Sequence, residues 1–81
     1  MRLDKFLKIS RLIKRRTVAN EACDNGRVTV NGKVARASYQ VKVDDIVEIS
    51  FGTRTVKFKI LSLQENAKKD DAQLLYQLID S

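Results

Sequence analysis

The run from Val28 to Val34 constrains the fold of this chain more than any other segment, because it has the pattern of a β-hairpin. Valines stand on both sides of the dipeptide Asn31-Gly32. Both central residues of a type I′ turn need a positive φ, which Asn and Gly tolerate better than other residues. The sequence therefore predicts two antiparallel strands joined by a tight turn at residues 31 and 32.

A short amphipathic helix is predicted near the N-terminus, from Arg2 to Ile9. Apolar residues at helical spacing form one of its faces, and cations at three-residue steps form the opposite face. These faces consist of Leu3, Phe6 and Leu7, and of Arg2, Lys5 and Lys8. Continuing this helix would carry Leu12 to the cationic side. We therefore expect a break near residues 10–13 that turns Leu12 and Ile13 inward.

A second helix is predicted from Arg15 or Arg16 to Asp24, with Asn25-Gly26 as a left-handed stop. Small residues on its inner face would allow the first helix to approach closely. This inner stripe consists of Ala19, Ala22 and Cys23.

The start of the second helix breaks a rule of helix capping. A first turn normally favours a Ser, Thr, Asp or Asn cap and acidic side chains near the positive end of the dipole. Lys14, Arg15 and Arg16 occupy that place instead. Local violations of this kind tend to mark functional sites. We expect Arg15 and Arg16 to form the centre of an anion site.

Two further strands are predicted downstream, at Ile46 to Phe51 and at Thr55 to Leu63, because apolar and polar residues alternate along both. A bend at Val41 to Asp45 precedes them. The closing run, residues 74–79, has helical spacing and also fits an edge strand. We favour the helix, whose apolar face would consist of Ala72, Leu75, Tyr76 and Ile79.

These elements define an α+β fold class, with two N-terminal helices packed on a small, mainly antiparallel β-sheet and a short C-terminal helical or extended segment. A chain of 81 residues has room for a single domain. We place its motif core at residues 1–49, and the later strands and closing segment at residues 50–81. The aromatic residues expected in the core are Tyr39, Phe51, Phe58 and Tyr76.

Positive charge is concentrated in the first part of the chain. The first 36 residues carry a net charge of +7 and the remainder −1, of a total of +6. This concentration leaves RNA, DNA and an anionic membrane surface as candidate partners. The candidate binding residues are Arg2, Lys5, Lys8, Arg11, Lys14, Arg15 and Arg16. The candidate peripheral contacts are Arg27, Asn31, Lys33 and Arg36.

Composition argues against an enzyme, a metal protein and a secreted protein. The chain has no His, and Cys23 is its one cysteine, so His-based nucleophile pairs, Cys/His zinc sites and an internal disulfide are excluded. The charged N-terminus lacks the apolar core of a signal peptide, and no apolar run is long enough to span a membrane. We predict a cytoplasmic, non-catalytic binding module without a cofactor or metal, in which Cys23 is a small core residue.

The order of these features resembles a known family. Two basic helices lead into a G-x-V-x-V-N-G-K motif at residues 26–33, and Asp44-Asp45 stands before the next strand. This combination is similar to the RNA-binding domain named after ribosomal protein four of the small subunit. The opening residues 1–17 are similar to its stand-alone members, the heat-shock protein fifteen group and, more closely, the short ribosome quality-control factors of the RqcP type. The heat-shock relatives usually carry a long basic C-terminal extension that this sequence lacks.

The resemblance implies binding to a large ribosomal subunit that still holds peptidyl-tRNA after stalling and splitting. The implied partners are large-subunit rRNA, the peptidyl-tRNA and a tailing factor of the RqcH type, which directs C-terminal tailing of the blocked chain. We expect the protein to act as a monomer. By position, the family's basic RNA-facing residues are matched by Arg2, Lys5, Arg11 and Arg16, with Asp4 among them and Lys8, Lys14 and Arg15 extending the patch.

Two alternatives stay open at the level of sequence. A heat-shock-type factor would recycle blocked large subunits without tailing. A membrane-surface or protein-adaptor module would use the same basic helix, although its apolar face is small for insertion. One departure from the family concerns the backbone: Val43-Asp44-Asp45 stands where many relatives have Pro-Gly-Asp, which predicts a type I turn without a positive φ.

Overall fold

The structure, a computed structural model, describes residues 1–64 and 74–79. Its elements are α1 Leu3–Ile9, α2 Arg16–Asp24, β1 Val28–Val30, β2 Lys33–Val34, β3 Ile46–Phe51, β4 Arg54–Ile60 and β5 Tyr76–Leu78. The strands form one sheet in the order β2-β1-β3-β4-β5, with each pair of neighbours antiparallel. This architecture confirms the predicted α+β fold class and both N-terminal helices.

The hairpin of β1 and β2 has the predicted turn. Asn31 has a φ of 53° and Gly32 a φ of 85°. The Asn31 side chain also ties the turn to the later bend, because its Nδ2 donates to Oδ1 of Asp45 over 3.1 Å and its Oδ1 accepts from the amide of Ile46 over 2.9 Å. The turn residue is therefore held by both ends of its amide group.

The break between the helices is sharp and follows directly after α1. Arg11 has a φ of 61°, a left-handed conformation that costs a residue with a Cβ about 1–2 kcal/mol. The buried hydroxyl of Ser10 donates to the carbonyl of Leu7 over 3.2 Å, and the amide of Ile13 donates to the same carbonyl over 3.1 Å. Ile13 is buried and Leu12 half-buried, which confirms their predicted inward turn.

The core lies between the two helices and one face of the sheet. The buried apolar residues of the helices are Leu3, Phe6, Leu7, Ala19 and Cys23. Phe6 stacks on Phe58 of β4 with ring centroids 6.1 Å apart. Burying a large apolar side chain stabilises the folded state by about 1.5–3 kcal/mol. The contact between Phe6 and Phe58 therefore helps to hold α1 against the sheet.

The prediction of a closing helix is wrong. Residues 76–78 form β5, which pairs with β4 at the edge of the sheet, and the amide of Leu61 donates to the carbonyl of the buried Leu75 over 2.8 Å. Strand pairing satisfies backbone groups of β4 that a helix would leave unpaired. Ala72, part of the predicted helical face, lies outside the described residues. β4 itself ends at Ile60, earlier than the predicted Leu63.

The prediction of a type I turn without positive φ at residues 43–45 is also wrong, because Asp44 has a φ of 77°. Asp adopts the left-handed region more readily than most residues. The amide of Asp44 donates to the carbonyl of Ile60 over 2.8 Å, and its carboxylate lies 3.5 Å from Nζ of Lys59. These two contacts with β4 hold the bend at Asp44.

The four aromatic residues expected in the core divide into two groups. Phe58 is fully buried, and Tyr76 packs against it edge to face with ring centroids 5.6 Å apart. Tyr39 and Phe51 are 39% and 43% exposed, so the core prediction is wrong for both. Phe51 lies at the last position of β3, and Tyr39 lies in the loop after β2.

Candidate nucleic-acid interface

A buried carboxylate lies at the centre of the cationic N-terminal surface. Asp4, in the first turn of α1, is 2% exposed. Its Oδ1 accepts hydrogen bonds from the amide of Lys5 at 2.8 Å and from Nε of Arg2 at 3.2 Å. Its Oδ2 accepts from Nη2 of Arg2 at 3.3 Å and from Nδ2 of Asn20 at 3.2 Å. Nε of Arg16 lies 3.5 Å from the same Oδ2. We call Arg2, Asp4, Arg16 and Asn20 the Asp4 clamp.

The pKa of Asp4 is lower than usual although the side chain is buried. Burial alone raises this pKa, because it disfavours the charged form. Hydrogen bonds from Asn20, from Arg2 and from the amide of Lys5, together with the charge of Arg16, outweigh the burial and bring the pKa below its ordinary value. Asp4 is therefore a carboxylate at neutral pH, and the Asp4 clamp carries one more positive than negative charge.

The two arginines of the Asp4 clamp still face solvent. Their side chains are 44% exposed for Arg2 and 47% for Arg16. A guanidinium has five N–H donors in a planar fork, so neither arginine spends all of its donors on Asp4. The same planar fork matches the oxygens of a phosphate. The arrangement can thus present two oriented guanidinium groups to an anion.

The start of α2 lies beside this pair. Arg15 is the N-cap with extended backbone and no side-chain cap, and the first turn contains no acidic residue. The first amides of a helix have no partner within the helix, and an anion is stabilised near them. Arg16 is the first residue of α2. The structure thus brings a guanidinium of the Asp4 clamp and an uncapped helix start together.

The five remaining candidate cations lie close in the sequence to the residues of the Asp4 clamp. Lys5 is half-buried, and the other four side chains are exposed. Those four are Lys8 in α1, Arg11 and Lys14 in the break, and Arg15 at the start of α2. Arg2 and Arg16 of the predicted set share Asp4 as an ion-pair partner.

Sequence reasoning missed three polar residues of this surface, Thr17, Asn20 and Glu21. A shallow depression beside the Asp4 clamp is lined by Arg2, Asp4, Arg16, Thr17, Asn20 and Glu21. Asn20 donates directly to Asp4, and Thr17 stands next to Arg16. The available signal was spacing, because Asn20 lies one helical turn beyond Arg16 and therefore shares its face of α2.

The peripheral candidates near the hairpin do not lie in the Asp4 clamp. Arg27, Lys33 and Arg36 are exposed. Asn31 is exposed as a residue, but its side-chain amide already bonds to Asp45 and to the backbone of Ile46. Its hydrogen bonds therefore serve the fold.

Cys23 has no features of a reactive thiol. It is 1% exposed, and burial, followed by the charges of Asp4 and Asp24, raises its pKa to about 12. A thiol is a poor nucleophile and metal ligand. Within residues 1–64 and 74–79, no group of three or more His, Cys, Asp or Glu side chains is placed to hold a metal ion. No helix in that part of the chain is long and apolar enough to cross a membrane.

Comparison with known proteins identifies the family of this chain. The S4-domain profile matches residues 1–47, and the chain belongs to the S4-domain family. Two relatives named RQC P-site tRNA stabilizing factor are similar over nearly the whole chain. The one from Streptococcus pneumoniae is 52% identical over 98% of this chain and 90% of its own length. The one from Halalkalibacterium halodurans is 53% identical over 96% and 89%.

The fold itself is shared with a solved structure. Heat shock protein 15 of Vibrio cholerae, described as trimeric, superimposes with a TM-score of 0.89 at 28% sequence identity. The match covers 98% of this chain and 81% of that protein. The family resemblance drawn from the sequence motifs is thereby confirmed.

Proposed function

We propose that this protein is an RNA-binding factor of ribosome-associated quality control. It binds the obstructed large ribosomal subunit through large-subunit rRNA and peptidyl-tRNA, and it supports C-terminal tailing of stalled nascent chains by a partner of the RqcH type. It acts without catalysis, as a monomer in the cytoplasm. The proposed binding residues are Arg2, Lys5, Lys8, Arg11, Lys14, Arg15 and Arg16.

One observation carries this proposal: the Asp4 clamp holds the guanidinium groups of Arg2 and Arg16 together, half exposed, in the most cationic part of the chain. The names of the relatives, RQC P-site tRNA stabilizing factor, supply the biological setting. Side chains that are oriented before binding lose less conformational entropy when the complex forms. A phosphate would meet oriented donors instead of freely rotating ones.

The contacts offered by this surface favour recognition of RNA shape over sequence. Guanidinium and ammonium groups bind phosphates, and phosphate contacts position a protein without reading bases. Structured RNA is recognised mainly through its backbone and its shape. If roughly five to seven phosphates are neutralised, log affinity against log salt falls with a slope of about −4 to −6.

The test is binding to isolated large subunits that carry peptidyl-tRNA, measured by sedimentation through sucrose gradients at several salt concentrations. Arg16→Ala is expected to weaken binding and to reduce the salt slope by about one. Arg54→Ala is the matched control, because it removes the same charge from the exposed start of β4. Equal binding by wild type and Arg16→Ala, or a flat salt dependence, would overturn the proposal.

The role in tailing needs a separate measurement, because the similarity to heat shock protein 15 favours a second candidate. That candidate is a factor that recycles blocked large subunits without tailing. The two are separated by following C-terminal extension of stalled chains in extracts with and without this protein. Loss of tailing in its absence supports our proposal, and normal tailing favours the recycling factor.

The membrane alternative is disfavoured by the packing of α1. Its apolar residues Leu3, Phe6 and Leu7 are fully buried against the rest of the domain, so they are not available for insertion between lipids.

Size-exclusion chromatography with light scattering tests the proposed monomer, and a trimer would contradict it.

A further inference from the structure

The loop after β2 forms one side of a second groove, on the hairpin side of the molecule. The groove is lined by Val30, Asn31, Lys33, Val34, Ala35 and Tyr39. Tyr39 is 39% exposed and Val34 is 65% exposed. Tyr39 is thus partly accessible in the groove that it lines, and an aromatic ring offers a flat face on which another ring can stack.

The groove has a favourable charge for RNA. Its lining contains the cation Lys33 and, among the residues the structure describes there, no acid. Arg36 lies in the same loop as Tyr39, is exposed, and its carbonyl accepts the amide of Tyr39 over 3.0 Å. The nearby carboxylate of Asp45 is buried and bonded to Asn31 and to the amide of Lys42.

The groove is also connected to the Asp4 clamp through the backbone. The carbonyl of Tyr39 accepts the amide of Leu3 over 2.8 Å, and Gln40 forms a β-bridge with Arg2. Tyr39 and Arg2 thus belong to neighbouring segments that are held together at the start of α1.

We propose that this groove is a stacking site for one unpaired RNA base, with the base on the ring of Tyr39 and the adjoining phosphates near Lys33 and Arg36. This inference rests on the proposed RNA-binding function and extends it from phosphate contacts to a base contact. Unpaired bases of RNA are commonly bound by stacking on aromatic side chains, with cations along the backbone.

A protein strand is a poorer occupant of the same groove. Peptides that add to a sheet need an edge strand that offers several backbone pairs, whereas β2 consists of Lys33 and Val34 alone. A short edge strand that carries a lysine is a common protection against such pairing. The geometry therefore favours a nucleotide over an extended peptide.

Fluorescence can test stacking directly, because the chain contains no tryptophan. Tyr39→Trp would place a single indole in the groove, and Phe51→Trp is the matched control at the other exposed aromatic position. The probes are a short oligouridylate and a duplex RNA of the same length at low salt. We expect quenching of Tyr39→Trp by the single strand, little quenching by the duplex, and none for Phe51→Trp. Absence of quenching at position 39, or equal quenching at both positions, would overturn the inference.

Affinity for large subunits that carry peptidyl-tRNA gives an independent readout. Tyr39→Leu keeps an apolar side chain without an aromatic ring and is expected to bind about tenfold more weakly, while Tyr39→Phe binds as wild type does. If Tyr39→Leu binds normally but Arg16→Ala does not, the stacking site is refuted and the proposed function stands. If both variants bind normally, the proposed function fails as well.

Discussion

Asp4 and Arg16 lie on different helices, yet Nε of Arg16 is 3.5 Å from Oδ2 of Asp4. The same carboxylate holds Arg2 through two hydrogen bonds. An acidic residue in a surface that we propose to bind phosphates would by itself weaken that binding by repulsion. Here Asp4 also fixes the positions of two guanidinium groups, which favours binding. Its positioning effect on phosphate binding therefore opposes its electrostatic repulsion.

We expect Asp4→Asn to weaken RNA binding although it makes the protein more positive. The amide cannot replace the carboxylate as a partner of both arginines, and loss of their fixed positions would reduce affinity about threefold to tenfold. The free energy of unfolding is expected to fall by about 1–3 kcal/mol. Binding to large subunits and urea denaturation measure the two effects.

Asp44→Asn is the matched control for this prediction. It removes the same charge from a carboxylate that is 75% exposed and paired only with Lys59 among the described ion pairs. We expect its affinity to equal or slightly exceed that of wild type. If Asp4→Asn also bound more tightly, the positioning role of Asp4 would be refuted.

The lowered pKa of Asp4 predicts a pH dependence of stability. The folded protein holds the proton of Asp4 less readily than the unfolded chain does, so the charged carboxylate stabilises the fold. This stabilisation is complete above the pKa of the unfolded chain and is lost as the pH falls through the lower pKa of the folded state. Urea denaturation of wild type and Asp4→Asn should therefore show a stability difference near neutral pH that shrinks in acid. A difference that is constant with pH would contradict this assignment.

Asn31→Gly tests whether the hairpin turn serves the fold or the RNA. Glycine tolerates the φ of 53° at this position, so the substitution removes mainly the bonds to Asp45 and Ile46. We expect a loss of about 1–3 kcal/mol of stability and unchanged affinity of the folded protein. A clear loss of affinity well below the unfolding transition would instead make Asn31 an RNA contact.

Cys23 is predicted to be inert in the folded protein. It is fully buried, and its pKa of about 12 keeps it protonated at neutral pH, whereas alkylating reagents react with the thiolate. The rate of labelling by iodoacetamide should follow the unfolded fraction as urea is raised. Rapid labelling of the native protein would show that α2 opens locally.

The sequence predicted those parts of the fold that depend on neighbours in the chain. The turn at Asn31-Gly32 and the break after Ile9 follow from backbone preferences and helical periodicity over a few residues, and both are confirmed. The closing run was assigned wrongly because six residues can satisfy either period. The unpaired edge of β4, which decides the outcome, is a property of the assembled sheet.

The residues that make up the candidate site could largely be predicted from the sequence, but the contacts between their side chains could not. The cluster of cations is visible in the sequence, and the resemblance placed Asp4 among them. The hydrogen bond from Asn20 depends on how α2 crosses α1, which no local pattern specifies. The exposure of Tyr39 and Phe51 was missed for a similar reason, since the burial of an aromatic residue at the end of a strand or in a loop depends on the tertiary packing around it.

The ring of Phe58 contacts both Phe6 of α1 and Tyr76 of β5. The helix α1 and the strand β5 thus both pack on Phe58, although the S4-domain match ends at residue 47. Removal of β5 is therefore expected to weaken the packing of α1 at the opposite terminus, because it loosens the Phe58 ring that α1 contacts. The downstream strands therefore help to hold in place the end of the molecule that carries Arg2 and Arg16.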